Sequence, residues 1–541
     1  MQRVVAAFIL CATVGVVRAD ERAPYHHYVD HSNGGKVSCA PPKGWQAPGA
    51  DERSFVPRLL GAPDGGAPTT TVPDGGLAPG CAPGVGALYV RWQFDVGPEA
   101  AKLVSLTMRL RYQHGFAAYL NGTEIARRRL DPNADPTTMS TEVHGPEPES
   151  FVVPLKDGVL RGRGNVLAIE AHPRTPGRVA MLDAELFGSD APRAIRGPYF
   201  LRIGERDAVL VVDTDLPTRA SVTWGKDCDE CRRSDEPSTH HVFTLDRLQP
   251  NSSVPYEVRL GERSLGESGF HTQATVGHAV RFVAYGDVRS GHDIHAQLNE
   301  RLLIEDPDFA LITGDLVDRG SDEGDWERFF EVARKLLVRM VMYPAPGNHE
   351  YARLGQGAAR FMQLFRPFAG KVTDDGAYYS FDVAGLHFVA LDSNQYRSPR
   401  QAAWLDHDLG DARKRGMRGL FVYAHAPPYT SGLHGDNAIA IQDYVPIMVR
   451  HKVTLFFGGH DHDYERGRVG EFDYIVTGGG GAELRAQRCG VAGKKACPPR
   501  VLTFVNDFNY VLVEVIGKLV RVCPRRPDGS PIEACVQLKL R

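Results

Sequence analysis

From about residue 85 the chain alternates apolar and polar positions in short runs: ALYVRWQFDV, LVSLTMRLRY, GFAAYLNGTEIARR, NVLAIEAH and RVAMLDAELFG. Turn residues separate the runs. A period of two over such lengths predicts strands half-buried against a second sheet, so residues 85–190 read as a β-sandwich. A second β-rich unit is predicted over 195–275, where AVLVVDTDLPTRASVTWG supplies two strands and FTLDRLQPNSSVPYEVRL two more. From residue 278 the texture changes. The apolar runs AVRFVAYGD, FALITGD and VMYPAPGNHE alternate with the helical segments IHAQLNERLLIED and DWERFFEVARKLLVRM. YYSFDVAGLHFVALDS, GLFVYAHAPP, VTLFFGGHDH and FDYIVTGGGG follow. This alternation predicts an α/β domain over 278–541, with ligands gathered at strand ends.

The first 84 residues differ. MQRVVAAFILCATVGVVRAD has a short basic start, a brief apolar stretch and Val17-Arg18-Ala19 before Asp20. That is the pattern of a cleaved secretory signal over residues 1–19, and export to the exterior or periplasm is expected. Residues 20–84, with PDGGAPTTTVPDGGLAPG, are expected to form an irregular Gly/Pro-rich leader. No later stretch is long and apolar enough to predict a membrane span. Setting aside Cys11, the cysteines fall in near neighbours: Cys39 and Cys81, Cys228 and Cys231, Cys489 and Cys497, Cys523 and Cys535. In an exported chain this predicts four disulfides. For Cys228 and Cys231 the rival reading is half of a zinc site or a redox pair. The net charge of −3 gives no global basic field, which argues against a nucleic-acid scaffold.

Candidate chemistry collects where the apolar runs end. In chain order the residues are Asp287, Asp315 in ITGDLVDRG, Asn348 and His349 in PGNHE, His425 in YAHAPPY, and His460 and His462 in GGHDHDYER. One Asp or His at a strand end is ordinarily a turn or capping residue. Five such ends in one domain, mixing carboxylate, amide and imidazole beside glycine, predict a metal site. Arg289 stands two residues after Asp287, where a histidine ligand is often found, and a guanidinium has no lone pair to offer. His292 and His434 are placed in loops overlooking the site. His295 is expected on the helix surface. Tyr351 and Tyr429 sit beside ligand motifs, and Gly478–Gly481 predict a tight backbone passage.

The ordered set GD, GD, GNHE, an isolated His and GHDH resembles the calcineurin-like metallophosphoesterase superfamily over about residues 278–515. AHAPPYTSGLHG and GGHDHDYERG look most like its purple acid phosphatase branch. The resemblance implies a β-sandwich core flanked by helices and two metal ions, Fe, Zn or Mn, in divalent or mixed-valence form. Asp315 would bridge them. Asp287 and His462 would complete the first site, and Asn348, His425 and His460 the second. Two such cations bind a phosphoryl group together and lower the pKa of bound water toward about 7. His349 would contact phosphate or protonate the leaving oxygen. His434 is a candidate substrate contact.

Two departures stand out. The purple enzymes carry a tyrosine three residues after the bridging aspartate, where this chain has Asp318. Other branches use Asp-x-His in the first motif, where it has Arg289. The first metal is therefore one protein ligand short. Arg289 is expected to serve the phosphate, with a structural pairing to Asp318 as the alternative. Arg319, in GDLVDRG, resembles the arginine of the protein serine/threonine phosphatases that approaches phosphate; a salt bridge is its alternative.

Two further likenesses lie ahead of this domain. AAYLNGTEIARR with GNVLAIEAH and LDAELFG resembles the galactose-binding-like jelly rolls, which implies a possible saccharide ligand. The Leu-x-Pro corner with Tyr256 looks like a fibronectin type III sandwich, where a tyrosine pins its own corner. The expected activity is hydrolysis of phosphate monoesters. The alternatives are a phosphodiesterase or nucleotidase, or a saccharide- or cell-surface-binding protein with a degenerate catalytic domain.

Overall fold

The computed structural model describes residues 26–29, 35–38, 43–50, 56–58, 87–112, 114–142, 148–155, 159–175, 182–225, 230–351, 358–365, 371–372, 377–490 and 496–541. The expected signal segment, Cys39, Cys81 and Cys228 lie outside the described residues.

The first β-rich unit is built from two sheets whose inward side chains, among them Val90, Trp92, Leu106, Met108, Phe116 and Ile169, share one core. The leader is not wholly irregular. His26–Val29 pairs with Leu182–Ser189, and Gly35–Ser38 pairs with both Val56–Arg58 and Leu88–Phe94, so the leader extends both sheets. Open sheet edges recruit such pairings, which composition does not reveal. The second unit has sheets of three and four strands between Ala194 and His271. Its Tyr256 departs from expectation. The ring packs on Phe200 and Phe270, but the hydroxyl donates to Val338 O at 2.7 Å, across the boundary to the next domain. The tyrosine fastens two domains rather than one corner.

The third unit has a six-stranded and an eight-stranded sheet. Phe282, Phe309, Phe388, Phe421 and Phe457 interlock between them. Helices cover the outer faces: α1 (His292–Glu305), α2 (Glu323–Leu337) and α3 (Ala359–Phe365) on one side, α4 (Pro399–Lys414) and α5 (Val445–Arg450) on the other. Strands buried on both faces explain why these runs read as continuously apolar. In α2, Trp326, Phe329, Phe330, Ala333, Leu336 and Leu337 recur at helical spacing and are buried. The Asp322 side chain accepts from Gly324 N and caps the start, while Arg334 and Lys335 suit the last turn.

The same spacing accounts for a correction. His295, expected at the surface, is 1% exposed, on the α1 face shared with Leu298 and Leu302, and its ring stacks on Phe329. Burial pushes it down to about 3, so it stays neutral.

Topology sets up the site. Val280–Tyr285, Phe309–Ile312 and Val341–Pro344 are neighbouring parallel strands. Leu386–Ala390, Gly419–Tyr423 and Leu455–Gly458 are parallel neighbours in the facing sheet. Candidate ligands follow the C-terminal ends of both sets, where two packed sheets present their loops to one another. The N-terminal sandwich braces α2 from outside through Arg129–Asp322, Arg109–Glu331 and a bond from Ser150 N to Glu327. Disulfides Cys489–Cys497 and Cys523–Cys535 are formed as expected.

Candidate metal centre

Three of the six expected ligands sit in left-handed backbone: Asp287 (φ 58°), Asp315 (φ 54°) and His460 (φ 69°). Non-glycine residues rarely adopt this conformation, and where they do it marks constrained sites. The bend turns each side chain back over the strand ends. Glycines make room: a Cβ at Gly347 would overlap Asp315 Oδ1, and one at Gly459 would overlap Asp287 Oδ2. All four residues of Gly478–Gly481 run so close to neighbouring chain that a Cβ would be tightly crowded, the close passage expected of them.

The six side chains converge. Oxygens of Asp287 and Asp315 and a ring nitrogen of His425 lie within 4.8 Å of one another. His425 Nε2 is 2.9 Å from Asn348 Oδ1, 3.0 Å from His460 Nδ1 and 3.3 Å from Asp315 Oδ1. His462 Nε2 is 3.4 Å from Asp287 Oδ1. Asp287, Asp315, His425 and His462 are buried, Asn348 is exposed and His460 half-buried, so one side of the cluster opens outward.

Hydrogen bonds behind the cluster decide what it can hold. His425 Nδ1 lies 3.0 Å from Thr313 O, and His462 Nδ1 lies 2.6 Å from Glu483 O. A carbonyl can only accept, so each ring carries its proton on the outer nitrogen and turns a lone pair inward. Asp287 Oδ1 is buried without a hydrogen bond among the described residues. Lone pairs facing lone pairs in a buried cluster are the environment a cation relieves, and the carboxylate, amide and imidazole set suits Fe, Zn or Mn. Burial, with His425 and His434 nearby, pushes His460 down to about 2, leaving it neutral.

His349 Nδ1 contacts Asp318 O at 2.6 Å, and its Nε2 lies 3.8 Å from Asp315 Oδ2. Arg289 donates from Nη1 to Asp318 Oδ1 at 2.6 Å, and its Nε is 3.5 Å from Asp315 Oδ2 without a hydrogen bond. The pairing with Asp318 is therefore present. Arg319 donates its backbone N–H to Asp325 Oδ2, while its buried Nη1 has no hydrogen-bond partner among the described residues. His434 stacks on His460 with centroids 3.6 Å apart, and its Nδ1 contacts Asp461 Oδ1 at 2.8 Å. Tyr351 donates to Asp392, and Tyr429 lies under the Arg500 guanidinium.

Sequence reasoning passed over two acids. Glu350, the last residue of GNHE, is buried and accepts from the amides of Asp315, Leu316, Val317 and Gly347. Burial, then the Asp315 charge, pushes it up to about 7. Asp461, between the two histidines of GHDH, accepts from Thr430 Oγ1 and His434 N, fixing the loop after the His425 strand. The available signal was an acid inside a ligand motif.

Comparison with known proteins agrees with this geometry. The family described as calcineurin-like phosphoesterase matches residues 280–464. Purple acid phosphatase 21 of Arabidopsis thaliana is 28% identical over 239 residues, 42% of this chain and 53% of the relative. Phosphoenolpyruvate phosphatase of Allium cepa is 27% identical over 263 residues, 44% of this chain and 53% of the relative. The chain thus spans about half the length of these curated relatives. Among solved structures, purple acid phosphatase PPD1 from yellow lupin (Lupinus luteus) seeds superposes with a TM-score of 0.57 at 15% identity, covering 84% of this chain and 93% of that one. Residues 280–464 thus resemble the calcineurin-like phosphoesterases, and the purple acid phosphatases are among the relatives this chain is similar to.

Proposed function

We propose that this chain is an exported, dinuclear metal-dependent phosphoesterase that hydrolyses phosphate monoesters. The observation that carries the reading is the inward-facing lone pairs of Asp287, Asp315, Asn348, His425, His460 and His462, whose two best-buried rings direct their protons outward. Asp315 would be shared by two ions, with Asp287 and His462 holding one and Asn348, His425 and His460 the other. When bound, the ions supply Lewis-acid polarisation of the phosphoryl group and a nucleophile at neutral pH.

The chain's own residues then orient and protonate. The Asp318 carbonyl accepts from His349 Nδ1 and fixes the ring, so Nε2 faces the site and hands a proton to the departing oxygen from the doubly protonated imidazolium. Arg289 holds Asp318 with one nitrogen and keeps further donors for phosphate oxygens. Arg319 Nη1, buried and unpartnered among the described residues, is a second candidate donor. The two disulfides formed within this domain suit an oxidising compartment.

The test is turnover of p-nitrophenyl phosphate against bis(p-nitrophenyl) phosphate by protein loaded in turn with Fe, Zn and Mn. The monoester should be preferred, and elemental analysis should give about two metals per chain. Preference for the diester would move the assignment to a phosphodiesterase, and full activity with one metal or none would end the dinuclear reading.

A further inference from the structure

Next to the metal cluster lies a cavity of about 300 Å³, lined by Pro427, His434, Gly435, Asp436, Asn437 and His460 among others. Described residues of a basic segment, 482–490 and 496–500, reach its lining. Residues 482–500, AELRAQRCGVAGKKACPPR, hold five Lys or Arg and one Glu, within a chain whose net charge is −3. The disulfide Cys489–Cys497 closes the segment.

The segment is tied to the chain beside the cavity at several points. Arg485 N donates to His462 O at 3.2 Å, Arg488 N to Ser431 O at 2.9 Å, and Gln487 Nε2 to Ser431 Oγ at 2.8 Å. Three guanidinium groups thereby reach residues of the wall. Arg485 Nη1 lies 3.0 Å from His434 Nε2, and Arg500 donates to Asp436 Oδ1 at 2.6 Å. Arg488 Nη1 comes within 3.2 Å of where a Cβ on Gly435 would stand. Asp436 engages Arg500, whereas among the described residues no carboxylate forms an ion pair with Arg485 or Arg488. His434 turns Nδ1 toward Asp461, so its Nε2 is the acceptor that Arg485 caps.

Charged donors held against the rim of a reaction site, without anionic partners of their own, are complementary to an anion. Resting on the phosphoesterase reading, we infer that this rim is an anion subsite. It takes phosphate monoesters whose leaving group carries a second anionic group, a carboxylate or a further phosphate, with Arg485 and Arg488 as the selecting residues.

Phenyl phosphate and 4-carboxyphenyl phosphate, whose leaving groups are of similar basicity, test this on the metal-loaded full chain. The wild type should favour the carboxylated ester about tenfold in kcat/KM, and 0.5 M NaCl should shrink that ratio. The double variant Arg485→Ala/Arg488→Ala should bring the ratio near unity, and Arg485→Lys should keep most of it. Equal kcat/KM in the wild type, or a ratio that survives the double variant, overturns the subsite. If neither ester is turned over, the phosphomonoesterase reading falls by itself. The subsite then stands or falls on calorimetric Kd values for the same two esters, about tenfold apart or equal.

Discussion

The α/β domain contains two gatherings of histidine and carboxylate, each around a buried imidazole, that look alike in composition and differ in their protons. In one, His387 lies between Asp382 and Asp408, with ring nitrogens 2.6 and 2.9 Å from their oxygens. Burial lowers its affinity for a proton, but the two carboxylates raise it and prevail. Arg415 pairs with Asp382 and Ser380 donates to Asp408. Both ring nitrogens act as donors and the charges balance within the group. In the other, His425 and His462 direct one proton each to a backbone carbonyl and face oxygens with the remaining nitrogen. The first cluster closes on itself, and the second calls for a cation. What separates a structural cluster from a metal site is therefore the partner behind each ring.

The sharpest way to break this contrast is to remove one carboxylate from each cluster. Asp315→Asn should lower turnover by on the order of 10²–10³ or more and deplete bound metal, read by elemental analysis. Asp408→Asn should keep metal and turnover but unfold earlier, by roughly 2–4 kcal/mol in a denaturant titration, since it strands His387. Loss of metal from the Asp408 variant would erase the distinction. Next in size, His349→Ala should cost about 10²-fold in kcat with metal stoichiometry kept; if the metal leaves with activity, His349 is a ligand. Arg289→Ala should cost about ten- to a hundredfold in kcat/KM at unchanged metal content, as for one charge-assisted contact. Unchanged kinetics would leave Arg289 a partner of Asp318 alone.

The smallest effect concerns the brace between domains. Burial, with Glu323 and Glu149 nearby, pushes Glu327 up to about 7, against the opposing bond from Ser150. Folding retains a proton that the unfolded chain releases near pH 4.3, so stability declines as pH rises from there to about 7 and is level above it. Glu327→Gln should match the wild type below that window and exceed it at pH 8 by roughly 1–3 kcal/mol, seen in paired melts.

Strand ends and candidate ligands were legible because the buried parallel strands are continuously apolar and close beside glycine with an acid or imidazole. Asp287, Asp315, Asn348, His425, His460 and His462 came from that punctuation, and the structure brings them together. What eluded the sequence depends on contacts between distant segments. Glu350 is unremarkable until the chain folds back to bring four amides to it. His295 looks like a solvated helix residue unless α2 is known to lie against that face. Tyr256 fits a local corner, and only the docked domain offers Val338 instead. The strands in the leader, such as His26–Val29, are specified by the edge they join rather than by their own composition.

On the proposed reading, the Glu350 clamp also bears on how the ions enter. One carboxylate ties the amides after Phe309–Ile312 to that of Gly347, the residue before Asn348. A first cation that immobilises Asp315 therefore stiffens the turn presenting a ligand to the second, which meets a loop already ordered. Occupancy would then be a concerted property of the pair: as free metal rises, a chain of this kind would pass from empty to doubly loaded over a narrow interval, and a populated singly loaded form would show that the sites fill independently.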